Sequence, residues 1–541
     1  MEKIWKLKKI DTAKSSALAK SLDLVPLVAE LLVSRGIETE EDAITYLHPQ
    51  SKDLHSPFLL PDMKVACERI KKALDRKEQI YIYGDYDVDG ITSTALLINI
   101  FRSYNYPIKY YIPNRFEDGY GLNKKAIQNL KGRGCDLLIT VDCGITAVDE
   151  VIFANSLGMD IIITDHHQLL PGKQPPGTAI ITPRRVDSNY PFTELTGVGL
   201  AFKLAHALSG RKDLNSFLRS QLDLVALGTV ADVAPLVGEN RILVSLGLSE
   251  LNKRIRPGTQ ALCDASHYDR DKKITSETLG FALGPRINAA GRMMTAHKAV
   301  KLLTSESYQE SILLARELDS YNIERKEIQS EAQDKAILML EQSNHHIDKK
   351  GLVVACRDWH RGIIGIVASR IRDRYYRPTL VLSIDGEEAH GSGRSIDGMN
   401  LVNSLRECED LLIKYGGHAA AAGLTLKTRN IKEFASRFNN SVANSLSPED
   451  LVPKLEADIR VDINRLTLKA IKQLECLQPF GAHNVAPRFL TYNLTLDSAP
   501  VLIGKDQTHL KLLINNGTEN LDAIGWGMAD LQEKVNLLRY Y

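Results

Sequence analysis

The chain has 541 residues, too many for one hydrophobic core, so several domains are expected. Apolar content of 44%, charged content of 25% and a net charge of +1 are ordinary for a globular protein. Composition alone therefore gives no sign of a nucleic-acid binder, and any basic surface must be local. The seven cysteines form no CxxC pair, which argues against a structural zinc site and favours a reducing, cytoplasmic setting. The charged N-terminus lacks the apolar segment of a signal peptide, and no apolar run has bilayer length, so no membrane association is expected.

The first half of the chain predicts a helical segment followed by a parallel sheet. Residues 1–60 are polar with helical periodicity, and from residue 79 short β-rich runs alternate with helical segments up to about residue 300. Such alternation is typical of a mostly parallel sheet covered on both faces, with functional sites at the carboxyl ends of the strands. The predicted strands are 79–84, 109–113, 135–141, 159–164 and 178–182, and the first is followed by a predicted helix over 91–101.

The second half predicts three further segments. Residues 301–346 carry one long helical pattern, free of Pro and Gly from 307 to 343 and begun by a capping box of Ser307 and Glu310. At 1.5 Å per residue this helix would span roughly 50 Å and could join two domains. Residues 347–447 return to an α/β pattern with many glycines, and residues 448–541 are strand-rich, which suggests a small antiparallel barrel.

An acidic loop follows the first predicted strand of the sheet. Asp85, Asp87 and Asp89 lie within five residues and end at Gly90. Three converging carboxylates repel one another unless a cation neutralises them, so a metal site is the natural interpretation. The spacing also resembles a calcium-binding EF-hand loop, but that loop needs a Glu at its twelfth position, where this chain has Leu96, and a helix before it. A solvated acidic turn without metal remains the alternative.

Further candidate ligands lie at neighbouring strand ends. Asp142 ends the 135–141 strand, the triplet Asp165-His166-His167 ends the 159–164 strand, and Asp232 follows an apolar helical stretch. One such residue alone is usually a helix cap or a hydrogen-bonding partner. Several at one sheet edge suit Mn²⁺ or Mg²⁺. With five or six such ligands, two ions become possible, which would activate water and stabilise a leaving phosphodiester oxygen.

The order of these motifs resembles the DHH phosphoesterase superfamily, named for the triplet at 165–167. Within it, the sequence is most similar to the RecJ-type exonucleases over nearly the whole chain. The further motifs that carry this resemblance are PNRFEDGYGL (113–122), TGVGLAFKL (196–204), LGPRINAAGRM (283–293), WHRGIIGIVASRI (359–371), GSGRS (391–395), YGGHAAAAGLT (415–425) and LQPFGAHN (477–484). The resemblance implies an α/β fold with a DHH domain (61–300), a connecting helix (301–346), a DHHA1 domain (347–447) and an OB-like barrel (448–541).

The resemblance also implies roles for the candidate ligands. Asp142 would bridge two Mn²⁺ or Mg²⁺ ions, Asp85 and Asp87 would hold one of them, and His167 would contact the scissile phosphate. The other ion would be held by Asp89, His166 and Asp232. Asp85 is the ligand whose position varies most within the superfamily.

Substrate contacts are implied mainly for the second α/β domain. Arg394, Ser392 and Arg115 would anchor a 5′-phosphate, since an arginine can grip a phosphate in bidentate fashion and glycines allow close approach. The strand's path would be lined by Arg286, Asn288, Arg292, His360 and His418. Each of these five also has an ordinary interpretation as a polar residue beside turn-forming glycine.

The implied activity is 5′→3′ hydrolysis of single-stranded DNA to nucleoside 5′-monophosphates in DNA repair and recombination. Single-strand-binding protein and a helicase are the implied partners. The OB-like region departs from the family pattern at His483, where glycine is usual, and the chain stops where another strand is expected, so the barrel is expected to be incomplete. Two alternatives stay open: a DHH enzyme acting on oligoribonucleotides or cyclic dinucleotides, and a non-catalytic scaffold resembling the Cdc45 replication factor.

Overall fold

The computed structural model describes residues 3–114, 119, 121–169, 172–293, 296–517 and 520–537. These residues form two compact units. The first comprises residues 48–453 and 479–485, and the second comprises residues 3–47, 454–478 and the residues from 486 onward. The chain therefore begins in the second unit, builds nearly all of the first unit, and returns to the second at residue 454, apart from residues 479–485, which belong to the first.

Strands are numbered here in chain order through the described residues. They are β1 Ile4–Leu7, β2 Ile80–Gly84, β3 Lys109–Tyr111, β4 Leu137–Val141, β5 Asp160–Thr164, β6 Ala179–Ile181, β7 Leu352–Cys356, β8 Thr379–Asp385, β9 Glu388–Arg394, β10 Leu412–Gly417, β11 Ala421–Lys427, β12 Lys454–Ala457, β13 Ile459–Arg460, β14 Phe489–Leu490, β15 Thr495–Leu496, β16 Val501–Ile503, β17 His509–Asn515 and β18 Asn520–Gly525.

The helices are numbered in the same way. They are α1 Thr12–Ser21, α2 Pro26–Ser34, α3 Glu40–Leu47, α4 Met63–Arg76, α5 Val88–Ser103, α6 Lys124–Gly132, α7 Val148–Ser156, α8 Gly197–Leu208, α9 Ser216–Ser220, α10 Leu222–Ala231, α11 Gly238–Leu251, α12 Pro257–Ala265, α13 Ser276–Thr278, α14 Gly284–Met293, α15 His297–Thr304, α16 Tyr308–Gln342, α17 His345–Asp348, α18 Ile364–Tyr375, α19 Leu401–Arg406, α20 Ile431–Ser445, α21 Leu468–Leu474 and α22 Gln532–Leu537.

The N-terminal half of the first unit is built on a five-stranded parallel sheet with the order β3-β2-β4-β5-β6. Every residue of the central strands β2 and β4 is buried, as expected for a sheet covered on both faces. The chain runs from β2 to β3 on one side and to β4 on the other, so the strand order reverses beside β2. Ligand sites of open α/β sheets lie at this kind of reversal, outside the carboxyl ends of the strands. The predicted α/β class is confirmed.

Two apolar helices cover the sheet and present their first turns to that edge. Helix α8 is buried along its whole length, and α5 is buried over nearly all of its length. A helix that is apolar on every side is stable only inside a core. Both helices are therefore fixed in place, and so are the polar groups at their N-termini.

The long helix predicted from residue 301 is present as α16, which has 35 residues. At 1.5 Å per residue it spans about 50 Å. The side chain of Ser307 caps its first turn by accepting a hydrogen bond from the amide of Glu310. The other half of the predicted capping box differs: the amide of Ser307 donates to Oγ of Ser305 over 3.2 Å, and the Ser305 hydroxyl in turn donates to the carboxylate of Glu310 over 2.5 Å.

The second α/β domain of the first unit contains a mixed sheet with the order β10-β11-β9-β8-β7. Strands β7 and β8 are parallel, and the other neighbours are antiparallel. The GSGRS motif lies mostly on β9, where the buried glycines allow close packing of the apolar side chains Leu382 and Leu424.

The second unit is strand-rich with short elements. Strand β1 pairs in parallel with β12, and β13 pairs in parallel with β14. The remaining four strands form an antiparallel sheet in which β17 lies between β18 on one side and β15 with β16 on the other. Among the described residues of the whole chain, none of the helices combines the length and the apolar character that crossing a bilayer requires.

Candidate metal centre and substrate anchor

The acidic loop begins directly after β2, and its shape follows from its sequence. Asp87 caps α5 by accepting a hydrogen bond from the amide of Gly90 over 3.1 Å, which draws the chain into a tight turn. A side chain at position 90 would place its Cβ 2.5 Å from the carbonyl oxygen of Asp85, so the turn requires glycine. Asp85 and Asp89 are both buried, at 3% and 1% exposure. The loop thus directs its carboxylates inward, as a solvated turn would not.

The other predicted ligands lie at the same edge of the sheet. The Nε2 atom of His166 is 3.2 Å from Oδ1 of Asp142, 3.8 Å from Oδ2 of Asp89 and 3.9 Å from Oδ2 of Asp232. Asp142 follows β4 with a φ of +61°, a left-handed conformation that is uncommon outside glycine. Such backbone strain is often found at functional sites. The strand-end residues therefore converge rather than serving as separate caps.

Three overlapping groups of side chains could each hold a metal ion. Within each group, one ligand atom from every residue lies within 4.8 Å of the others. Asp142 belongs to two of the groups, and His166 also belongs to two. The groups are Asp85, Asp87 and Asp142; Asp89, His166 and Asp232; and Asp142, His166 and His167.

The chemistry of this cluster fits divalent cations. Burial, and then the charge of Asp87, raise the pKa of Asp89 to about 7, while burial and the charges of Asp89 and Asp87 raise that of Asp232 to about 9. The pKa of Asp142 is also raised well above its ordinary value, by burial and by four neighbouring aspartates. Among the described residues, Oδ1 of Asp142 is buried without a hydrogen-bond donor in suitable geometry. Carboxylates crowded in this way ionise together only when cations neutralise them.

His166 has the protonation state that a metal ligand needs. Burial and the neighbouring His167 lower the pKa of His166 to about 4, so its imidazole is neutral at ordinary pH. Its backbone carbonyl accepts a hydrogen bond from Nε of Arg184 over 2.8 Å, which helps to fix its position. Carboxylates with an imidazole, and no thiolate among them, suit Mn²⁺ or Mg²⁺.

Asp165 is a site residue to which the sequence assigned no role. It is 1% exposed, and it accepts hydrogen bonds from the amide of Ile145 and from both the amide and Nδ1 of His167, the last over 2.7 Å. Burial alone would lower the pKa of His167, but the hydrogen bond and charge of Asp165 outweigh it and raise that pKa to about 9. Asp165 therefore holds His167 as a cation beside the metal groups.

The first turn of α8 is a second feature that the sequence did not assign to the site. The amides of Gly197 and Val198 donate to the two carboxylate oxygens of Asp89 over 2.6 and 2.8 Å. The side chain of Thr196 caps the helix there. The signal was present in the TGVG motif, since a Thr cap followed by glycine marks a helix start that can approach an anion. Only the fold shows which anion it approaches.

The residues of the predicted phosphate anchor, Ser392 and Arg394, lie on β9 in the second α/β domain. Nη1 of Arg394 donates to Oγ of Ser392 over 3.2 Å and to the carbonyl of Gly393 over 2.7 Å. Burial and then the charges of Arg394 and His167 lower the pKa of His418, so both of these charges act on the His418 side chain. A Cβ at Gly365 would lie 3.1 Å from Nη2 of Arg394, so glycine there leaves room for the guanidinium.

The other predicted substrate residues do not all lie in one place. Arg286 is only 11% exposed, and its Nε lies 2.8 Å from Oδ1 of Asp319 in α16. Arg292 donates from Nη1 to the carbonyl of Gly362 over 2.9 Å, and Nδ1 of His360 accepts from the amide of Gly362 over 3.1 Å. Asn288 is half-buried on α14. Arg115 lies outside the described residues. Arg292 and His360 thus meet where the two α/β domains contact each other, whereas Arg286 is turned towards α16.

A parallel sheet with carboxylates and an imidazole clustered at its carboxyl edge, followed by a long helix and a second α/β domain, is the arrangement of a metal-dependent DHH-type phosphoesterase. Three family models match the chain: the DHH family N-terminal domain over residues 79–229, the DHHA1 domain over 348–444, and the RecJ OB domain over 457–539. The chain belongs to the RecJ family of single-stranded-DNA-specific exonucleases.

Similar proteins and solved structures support this membership. The chain is 44% identical to the single-stranded-DNA-specific exonuclease RecJ of Bacillus subtilis, covering 98% of this chain and 66% of that protein. It is 37% identical to the Escherichia coli protein of the same name, covering 94% and 90% of the two chains. The crystal structure of Thermus thermophilus RecJ in complex with Mn²⁺ matches with a TM-score of 0.83 and 29% identity, over 97% of this chain and 74% of that one. The same protein in complex with Mg²⁺ matches with a TM-score of 0.76 and 28% identity, over 97% and 72%.

Two consequences follow from these matches. The expected cofactors, Mn²⁺ or Mg²⁺, agree both with the side chains grouped at the sheet edge and with the ions bound in the similar structures. The chain spans just under two thirds of the Bacillus protein's length and most of the Escherichia protein's length.

Proposed function

We propose that this protein hydrolyses single-stranded DNA from its 5′ end and releases nucleoside 5′-monophosphates. The observation that carries the proposal is the overlap of the three ligand groups at Asp142 and His166, beside an arginine anchor. Overlapping ligand groups suit two ions that share a carboxylate, which is the arrangement for in-line displacement at a phosphodiester. The names of the similar proteins support single-stranded DNA as the substrate.

The ligand roles follow from the groups. Asp142 would be shared by two ions: Asp85 and Asp87 would hold one of them, and the other would be held by Asp89, His166 and Asp232. Two bound divalent ions would supply an activated water and stabilisation of the leaving oxygen. The protein's own groups hold the ligands in place: the first turn of α8 orients the carboxylate of Asp89, and Arg184 fixes the backbone of His166.

His167 is proposed to bind the scissile phosphate as a cation. Its side chain is 45% exposed, whereas that of Asp142 is 2% exposed and that of Asp232 is 26% exposed, so a substrate can reach it. Asp165 keeps it protonated, and a cation near a non-bridging phosphate oxygen stabilises the charge that develops there.

The 5′ polarity rests on Arg394, Ser392 and His418. A terminal phosphate carries more charge than an internal one and suits a guanidinium whose geometry is fixed by hydrogen bonds. If the end of the strand is held there, the first phosphodiester lies at the metal groups, and cleavage releases one nucleotide at a time. Arg292 and His360 are proposed to line the strand's path where the domains meet, with Arg115 and Asn288 as further contacts and Arg286 as a support through Asp319.

The alternatives predict different outcomes. An enzyme for oligoribonucleotides or cyclic dinucleotides would hydrolyse dinucleotides faster than a long strand. A scaffold of the Cdc45 type would bind no Mn²⁺ tightly, because such a protein has lost its ligands. All six candidate ligands are present here, and the matching OB domain gives the chain a further segment for a long strand.

The test is digestion of end-labelled single-stranded DNA with Mn²⁺. The wild-type protein should release mononucleotides from a 5′ label at once and leave a 3′ label on progressively shorter strands. Asp142→Ala should lose several orders of magnitude in rate, because the shared ligand is gone. Asp149→Ala, an exposed residue on the neighbouring α7, is the matched control and should keep wild-type activity. Release of mononucleotides from the 3′ end, or equal rates for both variants, would contradict the proposal.

The remaining parts of the proposal concern the cell. The cysteines are free thiols, which supports a cytoplasmic location. Single-strand-binding protein and a helicase are the partners that the family resemblance suggests. Co-purification with each partner, with and without DNA present, would test these contacts separately from the hydrolysis.

A further inference from the structure

The middle of α16 carries an arginine held by buried amides rather than by an acid. Nη1 of Arg325 donates to Oε1 of Gln329 over 2.8 Å, and Nη2 donates to Oδ1 of Asn322 over 2.6 Å. Asn322 is 1% exposed and Gln329 is 9% exposed, so both amides are fixed. The guanidinium is therefore oriented by hydrogen bonds that leave its positive charge unneutralised.

A second arginine lies on a helix that contacts α16. Arg370, on α18, is exposed. Burial, and then the charge of Arg370, lower the pKa of Arg325. Within the described part of the chain, no carboxylate forms an ion pair with either arginine. Two neighbouring guanidinium groups repel each other unless an anion lies between them.

Asn322 supplies a further unsatisfied group. Its Nδ2 is buried and, among the residues that the structure describes, has no hydrogen-bond acceptor. A buried donor without an acceptor costs about 1–3 kcal/mol, so the amide of Asn322 is kept in this position by its bond to Arg325 and not by a partner of its own Nδ2. The two guanidinium groups define the ligand, and they favour one that is anionic and rich in acceptor oxygens.

Helix α16, which carries Arg325, contacts helices of both α/β domains. Helix α16 contacts α14 through Asp319 and Arg286, and α14 packs its Gly291 against the acidic loop at Tyr86. Helix α16 also contacts α18, whose first turn lies against Ser392 and Arg394. The segment from Asn322 to Gln329 therefore lies between the helix that supports the metal loop and the helix beside the 5′-phosphate anchor.

We propose that Arg325 and Arg370 bind an internal backbone phosphate of the DNA strand, at a site distinct from both the metal groups and the Arg394 anchor. The proposal rests on the proposed function, because DNA is the anion that this enzyme must hold over several nucleotides. Planar guanidinium groups bind phosphate oxygens in bidentate fashion, which a lysine cannot do. The site would hold the strand on the enzyme between successive cleavages.

Arg370→Gln tests the site with little risk to folding, because the side chain is exposed. At low salt we expect kcat/KM for a long single strand to fall about tenfold, with kcat at saturating DNA unchanged. The slope of log(kcat/KM) against log[salt] should become shallower by about 0.7, the value for loss of one single-strand phosphate contact. The matched control is Arg374→Gln on the same helix, whose charge is already paired with Glu341 over 3.1 Å, and it should keep the wild-type slope.

Arg325→Gln should give the same pattern, with the exposed Lys326→Gln as its control for loss of one charge. Arg325→Lys keeps the positive charge but loses the planar guanidinium that makes two parallel hydrogen bonds, so it should recover only part of the affinity for the long strand. A thermal melt of this variant checks that the helix is intact. Hydrolysis of a 5′-phosphorylated dinucleotide distinguishes loss of the internal phosphate site from structural damage to the active site. Its two phosphates would occupy the anchor and the metal groups, so its hydrolysis should be unchanged in all these variants.

Two results would overturn the site. In one, Arg370→Gln and Arg325→Gln match their controls on the long strand, as a site for an acidic peptide would predict. In the other, the dinucleotide and the long strand lose rate equally, which would indicate a structural defect. The binding of a 3′-labelled strand, measured by fluorescence anisotropy, keeps the test separate from the proposed function. If the wild-type protein binds DNA without cleaving it, the proposed function is contradicted. The binding affinities of the variants then still show whether the phosphate site exists.

Discussion

The backbone amide of Gly197 donates to Oδ2 of Asp89 over 2.6 Å, although 108 residues separate the two in the chain. Gly197 is the first residue of α8, and its neighbour Val198 donates to the other oxygen of the same carboxylate. A helix N-terminus carries partial positive charge and unpaired amide donors, so it holds a carboxylate in one orientation. The start of α8 thus fixes one proposed ligand, and the absence of a side chain at residue 197 makes room for another, Asp142.

Substituting Gly197 with alanine should damage the metal site more than the fold. The new Cβ would lie 2.6 Å from Cβ of Asp142, a distance that requires one of them to move. Because small displacements of reacting groups have large effects on rate, we expect kcat to fall about a hundredfold. Gly132→Ala is the control, since a Cβ there faces open space. Wild-type kcat in Gly197→Ala would show that the Asp142 position is not critical.

Asp165→Asn should change the pH dependence of the reaction. The carboxylate of Asp165 keeps the pKa of His167 at about 9, so removing its charge should lower that pKa. His167 is proposed to act as a cation, and a cationic imidazole is lost as pH rises through its pKa. The alkaline limb of the pH–rate profile should therefore move to lower pH, with the largest loss of activity above neutrality. Asp160→Asn, at the other end of β5 and paired with Arg69, should leave the profile unmoved. Parallel profiles for Asp165→Asn and the wild type would rule out this role.

Without metal, the protein should lose stability as pH rises from about 4 to about 9. Burial, and then neighbouring charges, raise the pKa of Asp89 from 3.8 to about 7 and that of Asp232 to about 9. Over that window the folded protein keeps protons that the unfolded chain has already released, so the free energy of unfolding falls as pH rises. His167, whose pKa is raised from 6.5 to about 9, contributes stability that is lost in the same direction.

Mn²⁺ should oppose this loss, because metal competes with protons for the same ligands. Thermal melts with a chelator and with Mn²⁺ should show a stabilisation by Mn²⁺ that grows with pH. Asp232→Asn should weaken the dependence of the melting temperature on pH in the presence of chelator, since one carboxyl group with a raised pKa is removed. A stabilisation by Mn²⁺ that is independent of pH would contradict these protonation states.

The buried ion pair of Lys203 and Glu239 should be essential to stability but not to catalysis. Both side chains are fully buried, and Lys203 also donates to the carbonyl of His55 over 2.7 Å. Removing one partner leaves a buried charge without compensation, so Lys203→Met should lower the free energy of unfolding by about 3–5 kcal/mol. Adding Glu239→Gln should recover part of it. Lys253→Met removes the exposed pair with Glu250 and should cost less than about 1 kcal/mol. Chemical denaturation measures all of these variants, and equal effects of Lys203→Met and Lys253→Met would contradict the argument.

The catalytic sheet could be predicted from the sequence because its signals are local. Apolar runs such as the one ending at Val141 are long enough to specify buried strands, and the carboxyl edge of a parallel sheet brings Asp142 and His166 together without knowledge of any contact distance. The helix after the acidic loop begins at Val88, earlier than predicted, because Asp87 caps it.

The supporting contacts could not be predicted in this way, because they depend on pairings distant in sequence. The interaction of Asp89 with Gly197 and that of Arg286 with Asp319 join residues whose local patterns say nothing about each other. The parallel pairing of β1 with β12 spans almost the whole chain, and a four-residue exposed strand carries too little apolar pattern to reveal its partner. The amides that hold Arg325 occupy ordinary helix positions, and only packing against the neighbouring helices buries them.

The central claim is that the strand-end side chains meet around two divalent cations that share Asp142. Its most direct test is an anomalous difference map from crystals soaked in Mn²⁺. We expect two peaks about 3.5–4 Å apart, one near Asp85 and Asp87 and one near Asp89 and Asp232, with the Asp142 carboxylate between them. A single peak, or two peaks of which neither contacts Asp142, would contradict the account.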